Sequence, residues 1–198
     1  MSSKTCVRLA IVLAAFFSTV TSSAQSNQTP EALRQKAEDY YNWRNENYPV
    51  TSSDQGLHTW DERLTDYSEA AVKAREEKVR MLLRDMRSWL VDGWAKDDRI
   101  DWLLFRAQLE GEDFFSRVLK FNETNPQVYV NECSNGIFSL IKKDYDPPQK
   151  RGLAATARLK AMPAMLEQGK KNLRRPVRLY AQLAIDSARS IDSLMKDS

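Results

Sequence analysis

SEAAVKAREEKVRMLLRDMRSWL, Ser68 to Leu90, decides how the rest of the chain is read. From Val79 on, its apolar residues are Val79, Leu82, Leu83, Met86, Trp89 and Leu90, with Ala71 ahead of them. They recur at intervals of three and four, which is the period of one helix face and not the alternation of a strand. Ser68 stands where a helix N-cap belongs. Gly93 ends the helix or sits in its last turn. No other run alternates cleanly at period two. The expected fold is therefore all-α, a multi-helix array or bundle of about six to seven helices.

Upstream, Thr29 caps a helix that opens on Pro30 and Glu31 and runs to about Tyr48. It stops there because the residue before Pro49 is pushed out of the helical region. Pro49 to Tyr67 shows no apolar period and reads as a long loop. Downstream, Asp98 and Asp101 resemble a capping pair for a third helix. That helix is expected to bury Ile100, Leu103, Leu104, Ala107, Phe114, Phe115 and Val118. Asn125-Pro126 marks a break, and a fourth helix is expected over about Gln127 to Lys142, carrying Tyr129, Cys133, Ile137, Leu140 and Ile141. DYDPP, Asp144 to Pro148, is a loop.

Lys150 to Lys171 is helical again, with Pro163 predicting a kink or a junction of two helices. Pro176 opens the last helix, with the stripe Val177, Tyr180, Ala181, Ala184, Ala188, Ile191, Leu194 and Met195. That alanine-rich face runs on without a Gly cap, a Pro or a polar tail. The expectation is that 30–198 is the helical N-terminal region of a longer domain, its C-terminal catalytic part absent.

Residues 1–24 stand apart. Lys4 and Arg8 precede an apolar run, Leu9 to Val20, followed by small residues Ser22 and Ala24. This is the pattern of a secretory signal peptide cleaved after Ala24. Residues 25–29 then form a polar leader, and the protein is expected to be exported, periplasmic or extracellular, without a stable membrane anchor. The signal accounts for two of the 30 basic residues and none of the 27 acids, leaving a formal net charge of +1. A near-neutral chain gives no electrostatic case for a nucleic-acid partner. After cleavage Cys133 is the only cysteine and is expected to be a small buried hydrophobe.

Chemistry is sparse. There is no HExxH, CxxC, GxSxG or phosphate-binding glycine loop. A single histidine, His58, and a single mature cysteine cannot build the usual zinc ligand sets. No catalytic, cofactor-binding or metal residue is assigned. The acids at 97–101, 110–113 and 144–146 suit a helix N-terminus, a solvated face and a turn. One loop stands out. His58, Trp60, Asp61 and Arg63 cluster on a long polar segment and are candidates for the wall of a cleft. The plainer alternative is a packed loop held by an Asp61–Arg63 pair.

GLHTWDERL (Gly56 to Leu64), IDWLLFRAQLE (Ile100 to Glu110) and ARLKAMPAML (Ala157 to Leu166), in that order, resemble the N-terminal part of the bacterial domain-of-unknown-function 885 family. Members of that family are longer, exported and mostly helical. They resemble zinc metallopeptidases with an HExxPGH-type helix, on which two His bind zinc and Glu acts on a metal-bound water. The resemblance implies zinc only in the intact family domain, none in this chain, which by itself is not expected to cleave anything. It implies the remaining C-terminal part as partner and a peptide as the substrate of the whole. A standalone periplasmic helical binding or adaptor module is the alternative.

Overall fold

The computed structural model describes residues 28–196, with side chains through Ile191. The expected signal peptide 1–24, its cleavage point after Ala24 and leader residues 25–27 lie outside the described residues. Every regular element in the described part is helical. In order these are α1 (Pro30–Asn47), α2 (Pro49–Asp54), α3 (Glu69–Ser88), α4 (Lys96–Asp113), α5 (Phe121–Thr124), α6 (Gln127–Ile141), α7 (Pro148–Asn172) and α8 (Arg178–Lys196). Six of these are long, as the sequence predicts, and α2 and α5 are single short turns.

Local chemistry sets the starts. Thr29 Oγ1 accepts from the Ala32 amide at 3.2 Å, and Pro30 occupies the first turn of α1. Ser68 Oγ accepts from the Ala71 amide at 3.3 Å and opens α3. The expected Asp98–Asp101 capping pair does not form: α4 begins after Ala95, with no side-chain cap, and Asp98 instead pairs with Arg34 of α1. Pro49 does end α1, but it also starts α2 at once, since a fixed proline φ suits a first helical turn. The first third of the expected loop is therefore helix. Gly56, with φ +92°, then turns the chain out of α2.

Two packed regions follow. The first joins α1, α3 and α4 around Leu33, Tyr40, Leu83, Met86, Trp102 and Leu109. Trp102 Nε1 donates to the Met86 carbonyl at 3.0 Å, fixing α4 on α3. Each fully buried side chain of this kind contributes about 1.5–3 kcal/mol. Trp89 lies inside as expected, but Leu90 follows the helix end and is 77% exposed.

The expected burial on α4 is the main error. Ile100, Leu103, Leu104, Ala107, Phe114, Phe115 and Val118 are all exposed among the described residues. The helix carries a second apolar stripe, Trp102, Phe105 and Leu109, and that one faces α3. Both stripes have helical spacing, so period alone did not say which was covered. Beyond Asp113 the helix widens into a π turn over Phe114–Val118, and Lys120 takes a left-handed conformation with φ 52°.

The second region packs α6 on α7, with α2 and α8 also on α6. Tyr67, Tyr129 and Met165 form its small apolar centre, and Cys133 packs against it half-buried. Ile141 of α6 is exposed, while Glu132, Gly136 and Ser139 are buried. α7 runs unbroken through Pro163, so two separate helices do not form. Pro163 is exposed, on the side where water can take the carbonyl that the missing N–H leaves free. On α8, Ala184 is buried, Tyr180, Ala181 and Ile191 are half-buried and Ala188 is exposed, as is Val177 just ahead of the helix. The side chains of Leu194 and Met195 lie outside the described residues.

Candidate functional site

The most elaborate polar arrangement gathers around His58. α2 supplies Ser53, the following loop His58 and Asp61, the α6–α7 connection Tyr145, and α7 Arg158. Asp61 accepts from Ser53 Oγ at 2.6 Å, from the Tyr145 hydroxyl at 2.6 Å and from His58 Nδ1 at 3.1–3.2 Å. Burial by itself would raise the Asp61 pKa, but the hydrogen bonds from Ser53, Tyr145 and His58 outweigh it and hold the carboxyl below its ordinary value. An ionised carboxylate only accepts, so the proton on this side of the imidazole sits on Nδ1. The ring also stacks on Tyr145, centroids 3.3 Å apart and planes 3° from parallel. Burial, then the Asp61 hydrogen bond, pushes the Tyr145 hydroxyl well above the usual phenol range.

Behind this pair lies Arg158, which has no exposed surface. Its Nε donates to the Arg63 carbonyl at 2.9 Å, Nη1 to the Gly136 carbonyl at 2.7 Å and to Ser139 Oγ at 3.1 Å. Nη2 donates to Ser53 Oγ at 2.7 Å, and the Ser53 hydroxyl in turn donates to Asp61. One guanidinium thus ties α2, the His58 loop, α6 and α7 together. Burial lowers its pKa, with Asp61 and Glu132 pulling the other way. Such a charge is tolerated inside only because its donors are filled. Glu132 is a neighbouring buried acid, accepting from the Thr65 amide at 2.8 Å, and burial raises its pKa.

The four candidate loop residues divide. His58 and Asp61 come together in the network. Arg63 does not pair with Asp61; its guanidinium lies 3.9 Å from Glu46, and only its backbone carbonyl joins the network. Trp60 is half-buried and makes no side-chain hydrogen bond to the described residues. The packed-loop alternative holds in part: the loop is pinned, but by Arg158 and not by Arg63. Sequence reasoning missed Arg158, Tyr145, Ser53 and Glu132. Arg158 lay inside the ARLKAMPAML segment, and nothing in its spacing marked it as buried.

His58, Asp61 and Tyr145 line a cleft of about 250 Å³, completed by Glu62, Asp146, Lys150, Arg151, Leu153 and Ala154. A larger hollow of about 590 Å³, between α6 and α7 near Tyr129 and Leu166, is walled mainly by apolar groups and lies away from this network. Cys133 is no candidate nucleophile, because burial and the Glu132 charge push its thiol up to about 11. Among the described residues no three His, Cys, Asp or Glu side chains come together as metal ligands. Zinc does not fit these residues: His58 Nδ1 is committed to Asp61, and His58 Nε2 has no two further ligands gathered beside it among the described residues.

Residues 49–197 match the family described as "Bacterial protein of unknown function (DUF885)". The chain belongs to that family. No curated protein matches it. Among solved structures it is similar to one described as "a putative lipoprotein of unknown function from Shewanella oneidensis", with a TM-score of 0.67 and 19% identity. The match covers 77% of this chain and 28% of the other, so the chain spans little more than a quarter of that protein's length. At that identity the likeness shows a shared helical fold. No described helix is long and apolar enough to cross a membrane.

Proposed function

We propose that this chain is a non-catalytic helical region of an exported, zinc-peptidase-like DUF885 domain, and that its bare α4 face seats the rest of that domain. The exposed stripe Ile100, Leu103, Leu104, Phe114, Phe115 and Val118 carries the reading. It is a contiguous apolar helix face, and large exposed apolar surface marks an interface. The Shewanella protein with the same fold has most of its chain outside the matched part, which supports a covering segment from the same family domain. The His58 loop, held from behind by Arg158, would then wall a groove for a peptide substrate. Export follows the signal-like N-terminus and agrees with the description of that neighbour.

The test is association in trans. This chain should bind the separately expressed remainder of a DUF885 domain. Leu104→Asp with Phe115→Asp should abolish binding while leaving the chain's own melting temperature unchanged. Undiminished binding by that double variant would sink the proposal.

A further inference from the structure

We propose that the His58 cleft binds a primary ammonium group, carried by a peptide amino terminus or by an alkylamine. The argument begins with the imidazole. Its Nδ1–H is spent on Asp61, and the Tyr145 stack fixes the ring plane. In the neutral ring Nε2 therefore holds a lone pair, and no described residue hydrogen-bonds to it. A ligand that completes this atom must be a donor.

The surrounding charge favours a cationic donor. Asp61, Glu62 and Asp146 line the same cleft, and Glu62 is exposed with no ion pair among the described residues. The two cations there are already engaged. Arg151 gives its donors to Asp144 and to the carbonyls of Leu140, Lys143 and Asp146. Lys150 places its ammonium 2.7 Å from Asp146 Oδ2, and Asp146 then Asp61 hold that ammonium above its ordinary pKa. The protein thus already holds one primary ammonium at this cleft. Leu153 and Ala154 give an apolar wall for the stem behind a ligand's charge. A volume of about 250 Å³ suits a terminal group, not a folded partner.

His58 is the only histidine, so the full chain has a single imidazole signal in NMR. Titration with trialanine should shift that signal saturably, and N-acetyl-trialanine should not. Glu62→Gln, outside the buried network, should weaken binding about three- to fivefold, the effect of one exposed charge pair, without changing the melting temperature. Butylamine binding as well as trialanine identifies a general alkylammonium site. Binding of trialanine alone identifies a peptide amino terminus. No saturable shift with either amine, an equal shift with the acetylated peptide, or unaltered affinity in Glu62→Gln overturns the proposal. The inference deepens the groove-wall reading, yet the two fail separately, since the trans-association of the α4 face does not involve this cleft.

Discussion

Leu109 and Arg158 are both fully buried, and each is the hub of its own region. Around Leu109 the contacts are apolar, shared among Leu83, Met86, Trp102 and their neighbours. Around Arg158 they are directional hydrogen bonds to five partners: Arg63, Gly136, Ser139, Ser53 and, at 3.4 Å, Pro49. Apolar packing tolerates a similar volume in place of the original, whereas a buried polar network demands each donor and acceptor. One region is held by area and the other by valence. The region held by valence also carries the cleft, where a fixed imidazole matters more than bulk stability.

That contrast can be broken by mutation. Arg158→Ala should cost the most, about 3–5 kcal/mol, because it leaves Asp61 buried with its support removed. Denaturant unfolding checks it, and a loss under about 1 kcal/mol would mean that the hub is replaceable. Leu109→Ala should cost about 2–5 kcal/mol. The contrast sharpens with Met at both positions: Leu109→Met should stay within about 1.5 kcal/mol, whereas Arg158→Met should stay close to the alanine loss. Gly169→Ala comes next. Its Cβ would lie 2.7 Å from the Tyr129 ring, so α6 and α7 must separate slightly, at about 1–3 kcal/mol.

Acid separates the regions in another way. The folded state holds the Asp61 pKa below its ordinary value, so the unfolded chain takes up more protons as pH falls. The stability Asp61 contributes is present above its unfolded value near 3.8 and is lost as pH drops through the folded one. Glu132, raised by burial, acts oppositely and favours folding as pH falls toward its unfolded value. Unfolding of Asp61→Asn below pH 4 should therefore be less acid-sensitive than that of the unaltered chain. Smallest of all, Phe115→Ser on the bare face should shift stability by no more than about 0.5 kcal/mol while reducing self-association in sedimentation.

The apolar region was largely legible. Thr29, Pro30 and Ser68 marked helix starts, and the Val79–Met86 stripe marked the face that packs. What failed there was choice: α4 has apolar residues on two sides, and period cannot say which side meets a neighbour. The polar region was nearly illegible. Asp61 and His58 were conspicuous as a lone cluster, but Ser53 and Tyr145 stand 8 and 84 residues from Asp61, and Arg158 stands 105 from Ser53, with no spacing rule to connect them. Arg158 on α7 looks like any solvated helical arginine. Only the convergence of α2, α6 and α7 turns it inward.

The tryptophans are divided along the same line. Trp89 and Trp102 lie in the α1–α3–α4 core, Trp43 and Trp94 pack against it, and Trp60 alone stands on the His58 loop. Indole emission from this chain is therefore dominated by one side of the molecule. A melting curve followed by fluorescence records the apolar core giving way and is nearly blind to the loop. Replacing Trp60 with Phe would make the optical signal report that core alone, leaving the imidazole resonance of His58 as the independent witness for the other side.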